Sequence, residues 1–121
     1  MPETNEIVLH GIAASPGIVM GVAYLFIKHI PRIEEKVIDA GDTEQEIDRL
    51  KHAVDRSEKE LQKILSYAEQ KIGDNKEKIF EAQIMILNDV VLFDSIYKRI
   101  KKEKKNAEYI VHAEITKYQL L

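Results

Sequence analysis

Four histidines, His10, His29, His52 and His112, are the side chains of this sequence best suited to proton or phosphoryl chemistry. A metal centre or a catalytic pair would need them at ligand-like spacing or beside a nucleophile. Their settings are Leu-His-Gly, Lys-His-Ile, Lys-His-Ala and Val-His-Ala, which supply neither, so they read as surface or loop residues. Carboxylate pairs such as Glu34 with Glu35 sit in charged, solvated stretches, and nothing there tunes them for general acid or base work. The five glycines are isolated, whereas a phosphate loop clusters them ahead of a helix; Gly17 and Gly21 only imitate one. With no cysteine, disulfides and thiolate metal sites are excluded. No catalytic, metal-binding or cofactor-binding residue is assigned on these grounds.

Charge narrows the partners. The formal net charge of −3 gives no electrostatic reason to expect nucleic acid. One basic tract exists, Lys98, Arg99, Lys101, Lys102, Lys104 and Lys105, but it falls at a predicted helix end, where positive charge complements the helix dipole. It carries no interleaved aromatic residues to stack on bases, and it reads as a solvated helix end. Residues 11–27 carry no charge, yet Glu3 and Glu6 precede them and Ser15-Pro16-Gly17 interrupts them, which argues against a signal peptide. The run is also short of the roughly 20 apolar residues a spanning helix needs. Neither membrane insertion nor nucleic-acid binding is expected, and a cytoplasmic location is.

At 121 residues with 45% hydrophobic content, the chain can bury one modest core. Residues 7–13 and 18–27 are rich in Ile, Val and Leu and read as two strands. Pro16 and Gly17 form the turn between them, proline fixing one φ and glycine supplying a positive one. Two strands alone are marginal, so their sheet is expected to be incomplete within this sequence. Residues 29–42 read as a connector. Thr43 with Glu46 fits a capping box, and Ile47, Leu50, Val54, Ser57, Leu61, Ile64 and Ala68 then recur at spacings of three and four, predicting a helix over about 43–72. Gly73 is placed to end it, and Asp74 with Glu77 fits a second capping box opening a helix to about residue 88. Asp89 is placed to cap a third, with Phe93, Ile96, Tyr97 and Ile100 as its buried stripe. Asn106 begins a fourth whose Val111, Ile115 and Tyr118 point one way. Short links predict antiparallel neighbours. The fourth pattern is still running at Leu121, so a longer parent protein is expected.

The second helix has more apolar surface than one face can bury. At about 100° per residue, Ile79, Phe80, Gln83, Ile84, Ile86 and Leu87 share a broad side, while Met85 falls roughly opposite, with Lys78, Glu81 and Asp89. A crowded bundle could bury Met85. Alternatively, a flexible thioether ringed by charges suits a protein contact.

Gly11-Ile12-Ala13-Ala14-Ser15-Pro16-Gly17-Ile18 together with Ile79-Phe80-Glu81-Ala82-Gln83-Ile84-Met85-Ile86-Leu87 resembles the amino-terminal segment of Enzyme I of the phosphoenolpyruvate-dependent sugar phosphotransferase system. The resemblance runs in register over nearly the whole chain. It implies a mainly α fold, an antiparallel helical bundle of about four helices preceded by two strands of an incomplete α/β swivelling domain. The implied division is residues 1–28 for the strands, 29–42 for the connector and 43–121 for a helical subdomain that binds the phosphocarrier protein HPr. Asp74, Glu77, Glu81, Met85, Ile86 and Leu92 would form the HPr-facing surface, the carboxylates meeting basic side chains and the apolar three meeting a hydrophobic patch. The family's phosphorylated histidine lies in a Thr-Ser-His type motif that none of the four histidines here matches, and Mg²⁺ is implied for the full-length parent only. The chain departs from the family at Gln83, where histidine is usual, at Asn88, and at Val90 and Val91, where acidic residues are common. Fewer carboxylates would weaken steering towards a basic partner. Read without the resemblance, the chain fits a stand-alone helical interaction adaptor, and the two strands could pair with those of another copy. The chain alone is expected to take no label from radioactive phosphoenolpyruvate with or without Mg²⁺; a stable phosphohistidine at any of the four histidines would contradict this reading.

Overall fold

A run of 29 residues free of proline and glycine, Thr43–Lys71, forms helix α1 in the computed structural model, which describes residues 5–71 and 77–119. At 1.5 Å per residue α1 is about 43 Å long, too long for one short helix to cover. Two helices return along it in succession, α2 (Glu77–Leu87) and α3 (Val90–Glu103). Asn88, just past α2, donates from Nδ2 to Glu58 at 3.1 Å; Lys51 lies 5.2 Å from the Tyr97 ring centre, and Lys101 pairs with Glu44. These contacts set α2 against the C-terminal half of α1 and α3 against its N-terminal half, both antiparallel to it. Helix α4 (Ala107–Gln119) reverses again, running antiparallel to α3 and parallel to α1: Glu114 meets Ser95 and Arg99, and Glu108 meets Arg49. The antiparallel expectation therefore fails at one link. Asn88 and Asp89 make a corner between α2 and α3, not a hairpin.

The core lies where α1, α3 and α4 meet. Ile47, Leu92, Ile96, Ile100, Ala107 and Ile110 are buried there, each isoleucine worth about 1.5 to 3 kcal/mol. Phe93 and Tyr97 flank this cluster half-buried, so the stripe predicted for α3 is displaced by one residue towards Leu92. On α4 the buried line is Ala107, Ile110 and Glu114. Val111, Ile115 and Tyr118 lie at its edge, half-buried or exposed, because a carboxylate occupies the central position that the apolar pattern skips. Glu114 is 2% exposed and accepts from Ser95 Oγ at 3.1 Å and Arg99 Nη1 at 2.8 Å. The Arg99 guanidinium, opposed by desolvation and aided by Ser95, holds its carboxyl below the ordinary range.

A second set of charges fastens the start of α4. Glu46 accepts from the Ala107 backbone N–H at 2.8 Å, and Arg49 bonds both Glu46 and Glu108. The capping box expected of Thr43 and Glu46 is therefore not formed. A 3-10 turn at Ala40–Asp42 already leads into α1, the Thr43 hydroxyl donates back to Ala40, and Glu46 caps α4 instead. The Asn106 side chain accepts from Lys36 N–H at 2.9 Å and donates to the Glu34 carbonyl at 3.0 Å, while Val37 forms an antiparallel bridge with Lys105. Residues 31–42 are thereby stitched to the α3–α4 link, where Lys104 takes a left-handed φ of 53° to end α3.

The chain divides into two units, Met1–Ile30 and Pro31–Leu121, the second holding all four helices. In the first, the two predicted strands are not found among the described residues: 7–13 and 18–27 make no ladder with each other, and their apolar side chains are exposed. The local turn does form, with a bend at 14–17 and Gly17 at φ 117°, but a turn does not by itself pay the entropy of pairing two strands. Gly73, Asp74 and the second capping box lie outside the described residues.

The carboxyls of Glu46, Glu108 and Glu114 are all lowered by arginine hydrogen bonds, Glu108 to about 2. Because their folded values lie below the unfolded ones, their contribution is complete above the ordinary value of 4.5 and disappears as pH falls through the folded values. The denaturant midpoint should hold steady above about pH 5 and fall from there towards pH 2. Arg99→Ala should cost about 3 kcal/mol by leaving Glu114 buried without its cation. A midpoint independent of pH down to 3, or a neutral Arg99→Ala, would contradict this account.

Candidate functional site

Helix α2 packs chiefly on α1, and that contact decides which of its side chains stay in water. Phe80, Ile84 and Leu87, at spacings of four and three, turn towards α1 and are half-buried, with Glu77 beside them; no residue of α2 is fully buried. The buried side is narrower than periodicity predicts. Ile79, Gln83 and Ile86 lie outside it and are exposed, Ile86 at 55%. Met85, opposite the packing face, is 73% exposed. Of its two sequence readings, a core position is excluded.

The residues implied by the resemblance fall into two adjoining groups. Glu77, Glu81 and Met85 follow one another at spacing four and so form one strip along α2, with both Glu81 and Met85 exposed. Ile86 and Leu92 instead share the wall of an apolar depression of about 350 Å³ with Val91, Ile115 and Tyr118. Leu92 is only 8% exposed and belongs to the core cluster, so it offers the floor of a recess and not a protruding contact. Asp74 lies outside the described residues. Asp89, at the corner, spends one carboxylate oxygen accepting from the Leu92 N–H at 3.0 Å, the helix cap that the sequence predicts.

Sequence reasoning missed the part of this depression that comes from α4 and from Val91. The sequence shows Ile115 and Tyr118 only as sharing one side of α4 with Val111, and Val91 only as a departure from a pattern; the buried line of α4 instead carries Glu114. The histidines are all exposed and scattered over both units. Among the described residues no group of three His, Asp or Glu side chains could hold a metal ion, and no helix is long and apolar enough to cross a membrane. Half of the basic tract is paired: Arg99 binds Glu103 and Glu114, Lys101 binds Glu44, and Lys105 binds Glu35.

The described residues form a helical domain of four helices, with an apolar core, a buried Glu114 paired to Arg99, and an exposed methionine strip beside an apolar recess. The chain belongs to the family described as PEP-utilising enzyme, N-terminal, which matches residues 10–120. It is 38% identical over 105 residues to the phosphoenolpyruvate-protein phosphotransferase of Geobacillus stearothermophilus, covering 87% of this chain and 18% of that protein. With the enzyme of the same name from Bacillus subtilis strain 168 it shares 36% identity over 101 residues, 84% of this chain and 17% of the relative. The chain thus spans less than a fifth of these curated relatives. Among solved structures it superimposes on the NMR solution structure of Enzyme I (nEIt) with a TM-score of 0.79 at 33% identity, over 89% of this chain and 44% of that one. The resemblance to Enzyme I read from the sequence holds.

The exposure of Met85 and the burial of Leu92 predict opposite costs. Met85→Ala should move the denaturant midpoint by less than about 0.5 kcal/mol, and Leu92→Ala should cost about 2 to 5 kcal/mol. Equal destabilisation by the two would return Met85 to the core.

Proposed function

We propose that this chain is the HPr-docking part of a cytoplasmic phosphoenolpyruvate-protein phosphotransferase. In the whole enzyme a histidine outside these residues takes the phosphoryl group from phosphoenolpyruvate and hands it to HPr; this chain supplies the surface on which HPr is held for that second transfer. The observation that carries the reading is Met85, 73% exposed beside Glu81 and Ile86 on the side of α2 turned away from α1. A large apolar side chain left in water on a helix that has a packing face available elsewhere serves a partner better than it serves the fold. Flanking carboxylates would attract the basic groups of a carrier and orient it, while the apolar groups supply most of the contact energy.

No phosphoryl step is assigned to this chain, because none of its four histidines stands in the family's Thr-Ser-His type motif. Mg²⁺, expected for the whole enzyme, finds no trio of oxygen or nitrogen ligands among the described residues, and no step is assigned to it in this chain. The alternative of a free-standing adaptor is disfavoured by relatives of which the match covers less than a fifth. Exposed apolar side chains along 7–27 are the surface through which the chain by itself would associate with a second copy.

Titration with HPr from Geobacillus stearothermophilus, followed by chemical shift, tests the docking. Shifts should concentrate on α2 and the start of α3, and Met85→Ala should weaken binding by about 1 to 2 kcal/mol. Binding that ignores Met85, or shifts confined to α4 and the basic tract, would refute the assignment.

A further inference from the structure

Val91 sits in the first turn of α3 and is 77% exposed. A helix N-terminus favours acidic side chains in that turn, and α3 has none there beyond its cap, Asp89. A β-branched apolar residue in water at this position contributes nothing to the helix dipole and little to packing. It does complete the rim of the depression that Ile86, Leu92, Ile115 and Tyr118 enclose. Its neighbour Val90 is equally apolar and exposed but faces a different cleft, the one shared with Val54, Phe93 and Tyr97 on the α1 side. The two valines are therefore separable: one borders the docking strip, the other does not.

Polar groups are few around the rim. The polar groups lining the depression are Asp89 and Gln119, and one oxygen of Asp89 is already taken by the Leu92 N–H. A lysine or arginine brought against Val91 would lose water and meet the positive end of the α3 dipole, with only the second oxygen of Asp89 among the lining groups to receive it. An aliphatic or aromatic side chain loses nothing there and covers apolar surface.

We propose that Val91 is a specificity-determining residue of the docking face: it selects a phosphocarrier that presents an uncharged apolar side chain, and not a basic one, to the start of α3. The proposal rests on the docking reading above and names the chemistry of the partner's matching patch. Binding at this rim is then insensitive to salt, because little charge is neutralised there.

The test compares Val91→Glu with Val90→Glu, which add the same charge one residue apart, each titrated with Geobacillus stearothermophilus HPr at about 50 mM and about 500 mM NaCl. Glutamate in the first turn suits the helix dipole, so neither variant should lower the thermal midpoint, and a loss of affinity cannot be ascribed to unfolding. Val91→Glu should weaken binding about tenfold at both salts, and Val90→Glu should stay within about threefold of the parent. If Val91→Glu instead binds as well as the parent or more tightly, with a steeper salt dependence, the rim faces a basic group and the proposal is wrong, while the docking assignment stands. If the folded parent chain does not bind HPr at all, the docking assignment fails first and this inference with it.

Discussion

One mismatch of length organises the helical unit. α1 runs about 43 Å, and the chain covers it with two shorter helices laid end to end, which requires a corner between them. Asp89 makes that corner possible, since its carboxylate satisfies the Leu92 N–H as a new helix begins. The two halves then have different fates. α3 has α4 beside it as well as α1, and the three enclose Ile96, Ile100 and Ile110 completely. α2 packs chiefly on α1, buries nothing fully, and leaves Met85, Ile79 and Ile86 in water. The surface available to a partner is a consequence of this uneven coverage.

Charged residues hold the covered half together. Glu114 enters the core with Arg99 and Ser95 as partners, and a buried carboxylate is tolerable only because its oxygens are satisfied. Glu46, Arg49 and Glu108 tie the N-terminus of α1 to that of α4, and Asn106 ties the connector to both. Half of the 98–105 basic tract is consumed in the same way. Lys101 and Lys105 reach carboxylates on α1 and the connector, so a stretch that reads as a solvated helix end in the sequence also supplies internal fasteners.

The docking proposed for this chain leaves few marks of its own. Docking needs neither a nucleophile nor a metal, only side chains that the fold does not use. The family match and the superposition on Enzyme I say what kind of protein the chain comes from. On the docking proposal Met85 and Val91 mark where a partner would rest, and both are apolar residues that the fold leaves exposed.

Helix number, their approximate limits and the Asp89 cap were legible in the sequence, because apolar spacing, capping residues and helix breakers act within a few positions of one another. The oddity of Met85 was legible for the same reason. The role of Glu46, the burial of Glu114, the corner at residues 88–89 and the recess joining Ile86 to Tyr118 were not, and the two strands that pattern predicted did not pair. Each of these depends on what lies opposite. A spacing of three and four says that residues share a side of one helix, but burial belongs to two surfaces at once, and a strand exists only with a neighbour to accept its hydrogen bonds. Tertiary structure alone decided which apolar side met another helix, which carboxylate found an arginine, and which side chains were left for a partner.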